Sequence, residues 1–459
     1  MSAEERFLEA IAGDEEIDTE MADRNTTRHQ KLQQRNRVAI GRFLGNGRRA
    51  YQVAIVPRYY GELLTWALKR YLEKEGWEAV ETLGYHGREP VYIDVSTDYE
   101  RRENLLRDGQ MLVERDGSRL IVTVDINLQW RNSILVEGPA KRKEEIRSFI
   151  DGVLTIAREQ NFYRGKKIEF GGQLRFLDLN GRSWDSIILQ EEIKKEIRAN
   201  TITFLRRREL WNRYGIPLKR GILLAGEPGT GKTIICRALM AEAESITCIA
   251  TAAYALDADE YITELYELAQ DLSPCLVFIE DIDLIGQNRE EFGYQKGPAL
   301  MSLLTVLDGI EEKKEIVTVA TTNCLDLLDK ALSERPSRFD RVIILSRPSL
   351  EQRLELVRRL CHRMPLDQDA QEHIARKAEG CTPAQVQEIV HSLAIEHAEE
   401  ATDSWLRFSK EAIDRIISRM NGRNRQLGFT ISGNHGHNSL CQVLPSGECR
   451  QRGNSGGPA

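Results

Sequence analysis

The sequence lacks an excess of positive charge: 459 residues carry 64 Lys and Arg against 71 Asp and Glu, a net charge of −7. That balance speaks against a nucleic-acid partner held by overall electrostatics and leaves only a local basic patch for such a role. It also lacks paired cysteines. The eight present (Cys236, Cys248, Cys275, Cys324, Cys361, Cys381, Cys441, Cys449) are scattered singly, mostly inside apolar runs, as buried thiols in a reducing compartment would be. No apolar run is long enough to cross a bilayer, and the opening Met-Ser-Ala-Glu-Glu-Arg has no basic start leading into an apolar stretch. The expectation is a cytoplasmic chain with no membrane span.

The length suggests about three domains. Residues 1–37 form a charged segment, acidic to about position 22 and basic beyond it, which reads as a solvated tail or helix or else a partner-binding arm. Residues 38–165 read as a small α+β domain with its own periodic core. Leu63, Leu64, Ala67, Leu68, Tyr71 and Leu72 recur at helical spacing, and so do Ile146, Phe149, Ile150, Val153 and Ile156. Val91, Ile93 and Val95 alternate as in a strand, and Asp116-Gly117 suits a tight hairpin turn. No catalytic constellation is visible there; His86 and Trp130 read as packing or surface residues. Residues 166–183, with Gly171-Gly172 and Gly181, read as a linker. From 421 to 459 the composition turns to Gly, Asn, Ser and Arg, too poor in aliphatics to order itself. His435, His437, Cys441 and Cys449 in that tail match no zinc spacing, so no metal site is expected there.

The informative segment is Gly221-Ile-Leu-Leu-Ala-Gly226-Glu-Pro228-Gly229-Thr230-Gly231-Lys232-Thr233, an apolar strand entering Gly-x-x-x-x-Gly-Lys-Thr. Glycines free the backbone N–H groups to cradle phosphate oxygens, and the following helix presents its positive end. Lys232 at this offset reaches the β- and γ-phosphates, and the Thr233 hydroxyl ligates Mg²⁺, so ATP and Mg²⁺ are the expected cofactors.

Downstream, Cys275–Ile279 is an apolar strand ending in Glu280-Asp281-Ile-Asp283. A parallel sheet brings its strand ends to the ligand edge, so one carboxylate, Glu280, can hold the metal shell while Asp281 polarises the attacking water. A further strand, Ile316–Ala320, ends in Thr321-Thr322-Asn323, offering an amide to orient that water or sense the γ-phosphate. Arg335 and Arg338 are two close guanidiniums suited to a neighbouring subunit's γ-phosphate.

From about Trp184 to Glu400 the chain resembles the AAA family of ATPases. The resemblance rests on Gly215-Ile216-Pro217-x-Lys219-Arg220-Gly221, the phosphate loop, the carboxylate strand, Leu303–Gly309, Thr322-Asn323, Leu328-Asp329, Ala331-Leu332 and Arg338-Phe339-Asp340. It implies a P-loop NTPase parallel-sheet core over 184–346 and a helical lid over 347–420. It also implies Asn323 as the first sensor, Arg335 and Arg338 as trans-acting arginine fingers, and Asp308 and Gly309 on a segment that relays between subunits. Gly380-Cys-Thr-Pro-Ala384-Gln385 falls where the family's lid approaches adenine, and Thr382, Pro383 and Gln385 make a capping-box helix start. The order Glu280-Asp281 inverts the family's usual Asp-Glu and is similar to the branch containing the mitochondrial translocase of the Rieske iron–sulfur protein. Tyr254 stands where unfoldases carry a pore aromatic, or else is a core tyrosine. The resulting expectation is a homo-oligomer, by resemblance a hexamer, acting on an unidentified protein client. A nucleic-acid motor and a slow nucleotide-gated scaffold are the alternatives.

Overall fold

The computed structural model describes residues 22–127, 132–171, 173–256, 259–285, 303, 305–307, 314–324, 339–363, 366–396 and 409–426. The N-terminal part comprises helix α1 (Ala22–Leu44), strand β1 (Arg49–Val56), α2 (Gly61–Glu75), β2 (Glu78–Leu83), β3 (Val91–Ser96), β4 (Arg102–Arg115), β5 (Ser118–Asp125), β6 (Asn132–Pro139) and α3 (Lys143–Glu159). Its six strands form one antiparallel sheet ordered β1-β6-β5-β4-β2, with β3 also on β4. Period-two alternation sorts its two faces. Val113, Leu120 and Val122 join the core under α2 and α3, while Leu112 and Ile121, directly opposite each other, pack with Ala39, Ile40, Phe43 and Leu44 of α1. Arg115 pairs with Ser118 around Asp116 and Gly117, whose φ values of 48° and 72° give the doubly left-handed turn that matches strand twist. Helix α1 runs through the expected boundary at 37/38, because Val38, Ala39, Ile40 and Phe43 continue the helical spacing of the basic stretch before them.

The second sheet has seven strands in the order β13-β9-β12-β11-β10-β7-β8. These are β7 (Lys167–Gly171), β8 (Gln173–Phe176), β9 (Lys219–Ala225), β10 (Thr247–Ala252), β11 (Cys275–Glu280), β12 (Ile316–Thr322) and β13 (Arg341–Ile344), all parallel except the β7–β8 hairpin. The central strands β9, β10, β11 and β12 are buried along most of their length and are accordingly rich in apolar residues. Ile222, Leu224, Leu276, Phe278, Val317 and Val319 pack with Ile235 and Leu239 of α7 (Lys232–Glu242). Leu223, Val277, Ile279 and Ala320 belong to the cluster of Ile262, Leu265 and Tyr266 from α8 (Asp259–Asp271). Three helices, α4 (Glu191–Asn200), α5 (Ile202–Arg206) and α6 (Arg208–Tyr214), lie before β9. Beyond β13, α9 (Leu350–Leu360), α10 (Gln368–Lys377), α11 (Pro383–Glu396) and α12 (Lys410–Gln426) share a separate apolar cluster.

Two further sequence expectations change here. Residues 166–183 are not a simple linker: β7 extends the parallel sheet beside β10 and pairs antiparallel with β8, with Gly171 opposite Gln173. Nor does the N-terminal part keep a core to itself. One apolar cluster runs from α2 and α3 through Tyr163, Ile168 and Phe170 to α8 and β11. Arg58 reinforces that junction, with Nε 2.7 Å from Glu264 Oε2 and its guanidinium 4.0 Å above the Tyr261 ring.

Gly152, inside α3, is where α3 approaches α2: a Cβ there would stand 2.1 Å from Tyr71 Cε2, in a ring packed 4.8 Å from Phe149. Gly152→Ala should therefore lower stability by about 1–3 kcal/mol despite the higher helix propensity of Ala. Thermal unfolding checks this, and an unchanged or higher Tm would show that the ring moves aside freely.

Candidate active site

Strand β9 ends at Ala225 and the chain turns within a few residues. Thr230 N donates to Glu227 O at 3.3 Å across Pro228 and Gly229, and Gly229 has φ +84°; proline second and a left-handed glycine third is the pattern of a type II turn. Gly226 is excluded from carrying a side chain for another reason, since its Cβ would sit 2.6 Å from Leu345 O. Gly231, φ +97°, precedes α7, whose start has no side-chain cap and no acidic residue in its first turn. Its leading amides are thus left for an anion.

Lys232 is buried, and burial holds its ammonium pKa below the usual lysine value, against the pull of Asp281 and Asp283. Its Nζ donates to Gly226 O (2.7 Å), Glu227 O (3.1 Å) and Asn323 Oδ1 (2.8 Å). Asn323 in turn donates from Nδ2 to Asp281 Oδ1 at 3.0 Å, and its backbone N–H donates to Asp283 Oδ1 at 3.1 Å. An ammonium can only donate and a carboxylate only accept, so this pair of neighbours fixes which way the amide faces. Asp281 adopts φ 56°, ψ 56°, a left-handed conformation costly for a side chain with a Cβ, and its N–H donates to Thr321 Oγ1 at 2.9 Å. Thr233 Oγ1 donates to Glu280 Oε2 at 3.3 Å. Burial raises the Glu280 pKa, with Asp281 and Glu169 adding to the rise and Arg237 and Thr233 opposing it.

The structure thus brings Gly226, Pro228, Gly229, Thr230, Gly231, Lys232, Thr233, Glu280, Asp281 and Asn323 to the carboxyl ends of β9, β11 and β12. Arg335, Arg338, Asp308 and Gly309 lie outside the described residues. Tyr254 is 70% exposed and is not a core residue. The capping box at α11 is present: Thr382 N donates to Gln385 Oε1 at 2.8 Å and Gln385 N to Thr382 Oγ1 at 3.4 Å. Ala384 N in the same turn donates to Gly229 O at 3.2 Å. Thr321 and Asp283 escaped the sequence reading as supports of Asp281 and Asn323. A threonine closing an otherwise apolar buried strand was the available signal.

The donors present fit a nucleotide triphosphate with a hard cation. Uncapped helix amides and Lys232 suit phosphate, and the Thr233 hydroxyl with the Glu280 carboxylate suits Mg²⁺, which prefers oxygen. Residues 222–347 match the family model described as ATPase family associated with various cellular activities (AAA). The chain carries an AAA ATPase domain. On the P-loop NTPase fold, its AAA sheet places the phosphate loop and the carboxylate strand as just described. Among curated proteins, an ATP-dependent zinc metalloprotease FtsH 1 of Thermomicrobium roseum is 29% identical over 323 residues, 65% of this chain and 48% of that protein. An FtsH 3 of Sphaerobacter thermophilus is 32% identical over 57% of this chain and 56% of its own length. An FTSH 9, chloroplastic/mitochondrial, of Oryza sativa subsp. japonica is 33% identical over 50% of this chain and 30% of its own length. The matched region spans only about a third to just over a half of these relatives. Among the described residues no helix is long and apolar enough to cross a membrane.

The raised Glu280 pKa makes a pH prediction with a definite sign. As pH falls below neutral, Glu280 takes up its proton at a higher pH than an ordinary glutamate and withdraws an anionic oxygen from beside Thr233. Mg²⁺-dependent nucleotide affinity should fall with it in the wild type and be flatter in Glu280→Gln, already weakened at neutral pH. Calorimetric titration at several pH values checks it; parallel pH profiles would remove Glu280 from the metal shell.

Proposed function

We propose that the chain is a Mg²⁺-dependent ATPase that acts as a ring of identical copies, six by family resemblance, and uses ATP binding and hydrolysis to remodel or unfold protein clients. The observation that supports this most is the hydrogen-bonded path Lys232–Asn323–Asp281 alongside Thr233–Glu280 at one sheet edge, whose side chains are chemically suited to bind phosphate, orient a water, accept its proton and hold a cation. The loop amides and Lys232 bind the phosphates. Thr233 and Glu280 would hold Mg²⁺, which when bound neutralises charge on the phosphate oxygens. Asp281 accepts the proton of the attacking water, and Asn323, anchored by Asp283, orients it. Arg335 and Arg338 of a neighbouring copy stabilise the charge that develops on the transferred group.

ATP dependence is the part of the relatives' names that these residues support. The sequence contains no His-Glu-x-x-His, and among the described residues no group of three or more His, Cys, Asp or Glu is placed to hold a metal ion, so proteolysis is not proposed.

Asp281→Asn should bind ATP with near-normal affinity and lose at least about 100-fold in turnover, because an amide fills the same place without taking a proton. Arg338→Ala subunits, inactive alone, should regain part of their activity when mixed with Lys232→Ala subunits, since some interfaces then join an intact loop to an intact arginine. Steady-state phosphate release on mixtures verified by native mass measurement reads both outcomes. Absence of rescue in confirmed mixed rings would mean that each site is complete within one chain.

A further inference from the structure

The phosphate loop carries a glutamate, Glu227, whose side chain none of the roles above uses. It meets Arg347, which lies between β13 and the first lid helix α9. Arg347 Nε donates to Glu227 Oε2 at 3.1 Å, and Nη2 donates to Oε1 at 3.1 Å and to Oε2 at 2.8 Å, a two-pronged pairing of the two planar groups. The guanidinium also faces the lid, since a Cβ on Gly380 would lie 3.8 Å from Arg347 Nη1. Gly380 is left-handed (φ +76°) and leads into the capping box of α11, whose Ala384 N–H bonds Gly229 O of the same phosphate loop at 3.2 Å. On the lid side, buried Arg353 of α9 donates to Pro348 O (2.9 Å) and to Ala375 O of α10 (2.8 Å), tying the residue next to Arg347 to two lid helices.

We propose that Glu227 and Arg347 form a positioning pair that holds the lid against the phosphate loop and so sets how long nucleotide stays bound. This rests on the reading of the loop as a nucleotide site. Among the described residues the loop meets the lid region through the backbone at Gly229 and through this ion pair. Loss of the pair leaves the Ala384–Gly229 hydrogen bond to hold the loop to the start of α11. Exposed ion pairs usually contribute little, and here the side chains are 38% and 55% exposed, so the effect is modest and salt-sensitive. Its importance comes from place: it bridges the phosphate loop and the segment leading into the lid helices.

The test uses the full chain and a fluorescent ADP analogue, with dissociation followed by stopped flow. Glu227→Gln and Arg347→Gln should each release the analogue on the order of 3- to 10-fold faster than wild type, and the double variant no faster than the singles. Raising salt from about 0.05 M to about 0.5 M should speed release from wild type towards the variants and leave the variants nearly unchanged. Arg347→Lys, which keeps the charge but not the fork, should fall between. Release rates equal to wild type in both Gln variants, or additive effects in the double variant, would overturn the pair. Failure of the wild type to bind the analogue saturably would instead overturn the nucleotide reading beneath it.

Discussion

A buried ammonium group is the constraint on which the site depends. Lys232 is 6% exposed, and an unpaired charge at that depth would cost several kcal/mol. Its partners come from separate parts of the sheet: Gly226 and Glu227 follow β9, and Asn323 follows β12. They meet only because Thr322 pairs with Ala225 in the parallel β9–β12 register, and Asp281 joins through Asn323 because β11 pairs with β12 on the other side. A one-residue slip of β12 would turn Asn323 to the opposite face of the sheet. Apolar packing on both faces of the sheet therefore fixes the geometry of the polar edge.

The same packing ties the N-terminal sheet to the AAA domain. The shared cluster through Phe170, and Arg58 on Glu264 and Tyr261, fasten it to α8, which follows the segment carrying exposed Tyr254. Movement of α8 cannot leave that junction untouched, because a mostly buried ion pair loses much more when one partner is withdrawn than a surface pair does.

Much of the candidate phosphate site was legible because the chemistry proposed for it needs particular residues at fixed offsets in one short segment. The α2 and α3 helices and the Asp116-Gly117 turn were legible for a related reason, local periodicity and a backbone conformation few residues tolerate. What escaped depends on distant pairing. Strand β7 has only five residues beside a glycine, and its place is given by β10, some 80 positions later. The left-handed Asp281 and its support by Thr321 arise from the meeting of β11 and β12. The Glu227–Arg347 pair joins residues 120 apart, a separation no local pattern spans.

The claim that Lys232 is the phosphate-binding cation of this edge is tested most directly by calorimetric titration of ATP with Mg²⁺ into wild type and Lys232→Ala at neutral pH. The geometry predicts saturable binding by the wild type and loss of at least about 100-fold in affinity in the variant, with the fold intact by circular dichroism. Near-equal affinity in a folded Lys232→Ala protein would contradict it.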